Sequence, residues 1–312
     1  MNEIKKITQT VIVSLAVVLS VFVGEAAHTA VVTDEVGRRV SISGTPQRIV
    51  SLAPGMTEIL FALNLDGQVV GVTSFCDWPR EAGQKTSVGG FTNPSLEKIV
   101  SLKPDLILAT ADGNRPETVR QLEKIGMKVY VINPVDTAGI LQSIRNIGEV
   151  TGQRQAARSL NAQLQRRLDA ITAQISNKKR PRVFFQIGMD PVITVGRRTM
   201  ISDVIERAGG TNIAGKDKAR YPRYSAEGVM AHAPDMLLFA PMATDREFKK
   251  VKRYWEQFPG IPAVKNKQIY PMNTDLIGRA SPRIVDAIEQ VAKILHPEIT
   301  IKATRQKQKG TL

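Results

Sequence analysis

A chain of 312 residues, 42% hydrophobic and 23% charged, has room for one large or two small domains with a full core, which excludes a disordered or fibrous protein. Its formal net charge is +14, but no basic motif is interleaved with aromatics, so nucleic acid is not the expected partner. The single cysteine, Cys76, excludes an intramolecular disulfide and a lipid attached to a cysteine beside the leader.

Residues 1–30 read as a secretory signal. Lys5 and Lys6 precede an apolar run, and small residues at Gly24-Glu25-Ala26 or His28-Thr29-Ala30 offer a cleavage site. An uncleaved anchor is the other reading, though the run is short for a full span. The expectation is export to a periplasm without a lipid anchor.

Residues 31–136 have the pattern of an N-terminal α/β lobe. A hairpin is expected around Asp34-Glu35-Val36-Gly37. Strands at 48–52, 69–73, 106–109 and 128–132 alternate with helices at 57–63, 96–102 and 116–125. This alternation implies a mostly parallel sheet. The stretch 76–93, rich in Asp, Pro and Gly, reads as a long loop.

Residues 137–180 form a helical spine. Leu160, Leu164, Leu168 and Ile171 make one apolar stripe, and Gly148 and Thr151-Gly152 mark a break into a shorter and a longer helix. A solvated helix of this length would be marginal, so the stripe is expected to pack across both lobes. The α/β pattern restarts over 181–298, with strands at 182–186, 193–195, 236–239 and 268–271 and helices at 200–208, 225–231, 247–257 and 281–295. Residues 299–312 are a basic polar tail.

An internal repeat relates the halves. Ser95-Leu96-Glu97-Lys98 through Pro104-Asp105-Leu106 matches Ser225-Ala226-Glu227-Gly228 through Pro234-Asp235-Met236 at a constant offset of 130 positions. Two α/β lobes of one design, joined by a helix, place the ligand site in the cleft between them.

No catalytic constellation appears. His28 lies in the leader or lead-in, His232 reads as a packed or surface residue, and His296 as a solvated helix end. None has the spacing of a metal site, so neither a catalytic residue nor a metal or cofactor is expected. Cys76 is either a reactive thiol or a buried small side chain. Asp275 and Arg279 follow a strand, where side chains project into a cleft, unless Arg279 satisfies strand-end carbonyls instead. Trp78, Phe91, Tyr221 and Tyr224 stand in irregular segments, either as plugs or as contacts for a large planar ligand.

From about Arg48 to Leu295 the chain resembles the helical-backbone metal-receptor family, the class III periplasmic binding proteins, and within it the corrinoid binders. The resemblance rests on Ser51-Leu52-Ala53-Pro54-Gly55-Met56-Thr57-Glu58, Leu102-Lys103-Pro104-Asp105-Leu106, Gln186-Ile187-Gly188, Gly209-Gly210-Thr211-Asn212 and Arg279-Ala280-Ser281-Pro282-Arg283-Ile284. It implies two Rossmann-like α/β lobes joined by a single long backbone helix, and a helical spine without a glycine-rich hinge pair is expected to restrict lobe closure. It also implies a monomeric, non-enzymatic substrate-binding component of an ABC importer. That component takes a cobalamin-like corrinoid, or alternatively a ferric siderophore or haem, and hands it to a dimeric membrane permease. Ligand contacts are implied at Phe75 or Trp78, Phe91, Tyr221, Asp275 and Arg279, while Thr110 and Ile193 depart from the aromatic pattern. Glu58 and Glu227, which the sequence places at the openings of one helix per lobe, are the implied docking pair for permease arginines.

Overall fold

The computed structural model describes residues 29–240 and 245–300. His28, the expected signal and the expected tail lie outside the described residues, except for two residues at the inner end of each segment. The first described element is a hairpin of β1 (Thr29–Thr33) and β2 (Arg39–Ser43). The Asp34 carboxylate holds its turn, accepting hydrogen bonds from the Val36 and Arg38 amides and the Arg38 guanidinium.

The N-terminal lobe contains β3 (Ile49–Ser51), α1 (Pro54–Ala62), β4 (Val69–Val72), β5 (Thr86–Ser87), α2 (Leu96–Ser101), β6 (Leu106–Thr110), α3 (Pro116–Lys124) and β7 (Val129–Ile132). Its parallel sheet has the order β5-β4-β3-β6-β7. Every residue of β3, β6 and β7 is buried, as in a sheet covered on both faces. The long loop expected over 76–93 contains a short 3-10 turn, Arg80–Gln84, and β5. Helix α1 starts at Pro54, three residues before the expected Thr57, because proline suits a helix's first turn.

The spine divides where the glycine pattern placed the break. Helix α4 (Thr137–Val150) ends at Thr151-Gly152, and α5 (Arg154–Ile175) follows. All four stripe residues are buried, and they belong to one apolar core that continues from Ile49 and Met56 in the first lobe to Val183 and Leu238 in the second. The spine is also tied at its start and within α5. The Thr137 amide donates to Asp203 at 2.8 Å, and the buried Arg167 donates to Glu289 at 2.9 Å and also pairs with Asp286.

The C-terminal lobe comprises β8 (Arg182–Met189), β9 (Val192–Thr194), α6 (Met200–Arg207), β10 (Thr211–Asn212), α7 (Ala226–His232), β11 (Met236–Phe239), α8 (Asp245–Glu256), α9 (Pro262–Lys265), β12 (Ile269–Pro271), α10 (Thr274–Ile277) and α11 (Ile284–Leu295). Its sheet runs β10-β8-β11-β12 in parallel, with β9 antiparallel on β8. β10, α9 and α10, at two to four residues each, are too short to carry a periodic signal.

The repeat is atomic. Ser95 and Ser225 cap α2 and α7 through the amides of Lys98 and Gly228. Both segments then turn through a residue at positive φ, Lys103 (46°) and Ala233 (42°). Asp105 and Asp235 next accept from the amides that open the neighbouring strands, Arg48 at 3.0 Å and Arg182 at 2.8 Å.

Candidate functional site

The two lobes meet where α1 faces the segment from Gly278 to Arg283. Gly55 is required at this seam, since a Cβ there would stand 2.4 Å from the Ala280 carbonyl oxygen. Residues Gly55 to Leu60 of α1 are all buried, including Glu58. A buried carboxylate needs charged partners. They come from the other lobe, where the Arg283 guanidinium donates to Glu58 Oε2 at 2.8 Å and Oε1 at 2.7 Å, a two-bond fork. Arg283 also lies 4.5 Å from the centre of the Trp78 ring, a cation–π contact.

Arg279 extends the network. It donates to Asp77 at 2.6 Å and to Asp275 at 2.8 Å, and stands 3.4 Å from Glu58. The Arg279 hydrogen bond holds the Asp77 carboxyl below its usual range. Burial would lower the Arg279 pKa, but its acidic partners outweigh that and hold it above the ordinary value. The structure therefore gathers Asp275, Arg279 and Trp78 at the seam between the lobes, with Glu58, Asp77 and Arg283 joining them. Sequence reasoning missed Asp77 and Arg283. The signal for Arg283 was a lone carboxylate in the otherwise uncharged run 49–65, which calls for a cation elsewhere.

The remaining expected contacts are dispersed. Phe75 is exposed. Phe91 packs against the core and over Gly113, and its carbonyl accepts from Asn114 at 2.8 Å. Tyr221 is exposed on a ribbon beside β9, with the Arg220 guanidinium 5.6 Å from its ring. The open question over Cys76 resolves to a buried side chain within hydrogen-bond distance of Thr57 and Thr73, its thiol pKa raised by burial. His296 corrects an expectation: it is buried near the Gly209 carbonyl, because the terminal helix packs inward.

Glu58 is a second correction. It was expected to open a helix at an exposed rim. It occupies the second turn of α1 instead, and its charge is covered by Arg283. The offset that carries Ser95 onto Ser225 carries Glu97, not Glu58, onto Glu227. Both Glu97 and Glu227 are exposed in the first turn of serine-capped helices. Among the described residues no cluster of His, Cys, Asp and Glu is placed to hold a metal, and no helix is long and apolar enough to cross a membrane.

Comparison with known proteins adds to this geometry. Residues 49–276 match the family model described as periplasmic binding protein. The chain belongs to the periplasmic binding protein family. It is a substrate-binding, non-enzymatic component of an ABC importer. The vitamin B12-binding protein of Salmonella typhimurium is 33% identical over 248 residues, covering 80% of this chain and 90% of the relative. The solved structure of the periplasmic vitamin B12 binding protein of Vibrio cholerae superposes with a TM-score of 0.71 at 29% identity, covering 80% of this chain and 96% of that one. The apo form of a periplasmic heme-binding protein from Roseiflexus sp. RS-1 reaches a TM-score of 0.71 at 28% identity, covering 81% and 99%. These likenesses accord with the two α/β lobes and connecting helix read from the sequence.

Proposed function

We propose that this periplasmic binding protein captures a corrinoid between its lobes and delivers it to a membrane permease. The observation that carries the reading is the Asp275–Arg279 pair at the meeting of the lobes. Arg279 is held in place by carboxylates, with guanidinium edges suited to amide or phosphate oxygens of a corrinoid. Trp78, whose ring lies against Arg283 in the same network, supplies an apolar surface for a flat macrocycle. The Salmonella and Vibrio relatives support the same ligand class. Export is proposed through residues 1–30 to a periplasm, without a lipid anchor, and the free protein is proposed to be a monomer.

A second reading, haem, is favoured by the Roseiflexus heme-binding structure and by Thr110 and Ile193, which stand where the corrinoid pattern has aromatics. The test is incubation of the purified protein with cell extract, repurification and an absorption spectrum. A corrin chromophore is expected. A haem or ferric catecholate spectrum would overturn the corrinoid assignment.

Docking is proposed at Glu97 and Glu227, one per lobe, with an arginine from each permease subunit. Their symmetric, exposed positions support this pair, whereas the buried Glu58 has its charge already satisfied.

A further inference from the structure

The C-terminal lobe carries a basic ribbon beside β9. Backbone bonds lace β9 to the segment before α7. The Tyr224 amide donates to the Val192 carbonyl, Thr194 to Pro222, and Gly196 to Arg220. The approach at the end of the ribbon is close enough that a Cβ on Gly196 would lie 2.1 Å from the Ala219 carbonyl oxygen, so only glycine fits. This pairing sets Arg197 and Arg198 near Lys218 and Arg220, with Lys216 in the preceding turn and Arg223 bridged to Ile193.

All six side chains are exposed. Among the described residues none of the six forms an ion pair, in contrast to Arg279 and Arg283 at the seam. The acid within the segment, Asp217, accepts from the Tyr224 hydroxyl at 2.9 Å. The ribbon also carries Tyr221 and borders a cavity of about 450 Å³ whose lining includes Lys218, Arg223, Tyr224 and Ser225. The segment thus combines exposed cations, an exposed aromatic ring and a concavity next to β9.

We infer that the ligand of this protein is a metal macrocycle bearing several ionised carboxylates, which the ribbon of Arg197, Arg198, Lys218 and Arg220 recognises. This rests on the proposed capture of a corrinoid or haem between the lobes and narrows its chemical class. A fully amidated corrinoid leaves the six cations without a counter-charge, whereas a carboxylated one supplies it. Such exposed pairs are individually weak, but two or three together give a preference of roughly tenfold at low salt. Salt screens exposed charges, so the preference shrinks as ionic strength rises.

The test is titration calorimetry with three probes: dicyanocobyrinic acid in its heptacarboxylate form, cyanocobalamin and haemin. Each is measured at low and at high sodium chloride. The expected result is that the carboxylated corrinoid binds about tenfold more tightly than cyanocobalamin at low salt. The Arg197→Gln, Arg198→Gln, Arg220→Gln triple variant should lose that preference while melting like the parent. Tighter binding of haemin than of either corrinoid, with the same salt and variant dependence, keeps the carboxylate inference and overturns the corrinoid reading. Binding of cyanocobalamin equal to or tighter than the carboxylated corrinoid, or a preference that survives in the triple variant, overturns the inference alone. Failure of all three probes to bind overturns both.

Discussion

Replacing Arg283 with Met would leave the Glu58 carboxylate at the lobe seam without its principal partner. The Glu58 side chain is 3% exposed and Arg283 14%, so water does little to soften the loss. Removing one partner of a buried ion pair costs about 3–5 kcal/mol, because the other charge stays buried. Arg279 remains 3.4 Å from Glu58 and keeps part of the attraction, which points to the lower end, about 3 kcal/mol. At about 2–4 °C per kcal/mol for a protein of this size, the melting temperature should fall by roughly 6–12 °C. The assay is urea denaturation beside thermal melting followed by circular dichroism. The Glu58→Gln, Arg283→Met double variant should recover to within about 1 kcal/mol of the parent, since a neutral amide no longer needs the cation. A loss below about 1 kcal/mol in the single variant, or no recovery in the double, would refute the seam as a buried ion pair.

Two further outcomes are expected. Asp77 has its carboxyl pKa lowered by Arg279 below an ordinary value of 3.8. Its contribution to stability is therefore present above that value and is lost as pH falls through the lower, folded one. Arg279→Ala should return the Asp77 midpoint toward 3.8 in a carboxyl-detected NMR titration, and an unmoved midpoint would count against the contact. For docking, the Glu97→Arg, Glu227→Arg double variant should retain ligand affinity by calorimetry and lose uptake in vesicles reconstituted with the permease. Normal uptake would remove both residues from the docking role, and the Glu58→Arg variant should instead fail by unfolding.

The long elements were legible because burial imposes a period. The stripe of α5 and the apolar strands of both sheets declare themselves in sequence, and the glycine at the spine's break does too. Helix α1 was legible as a helix, but its start was misplaced, because Pro54-Gly55 reads equally as a turn and as a proline-led helix opening. That misplacement moved Glu58 to a helix opening and made it resemble Glu227. The repeat already contained the correction, since it aligns Glu97 with Glu227. Asp275 and Arg279 were found together because both follow one strand, but Asp77 and Arg283 reach the same place from other parts of the chain. Pairing between lobes leaves no local pattern, so the seam needed three dimensions. The basic ribbon was similarly hidden, because Arg197 and Arg220 are brought together by a backbone ladder rather than by spacing.

The apolar core that runs unbroken through the spine also bears on how such a chain can change over generations. A repeat of this kind invites the picture of two interchangeable halves, each free to be copied or traded. Here each half keeps a core of its own, around Val50 and Ile107 in the first lobe and Phe184 and Trp255 in the second, but a further interior belongs to both. Cutting at Thr151-Gly152 would strip α4 of the helix that covers it and expose the Leu160-to-Ile171 stripe on the other fragment. Novelty is then easiest to gain at the loops on the lobe edges, where the ribbon lies, while the shared interior holds the two halves to a common history.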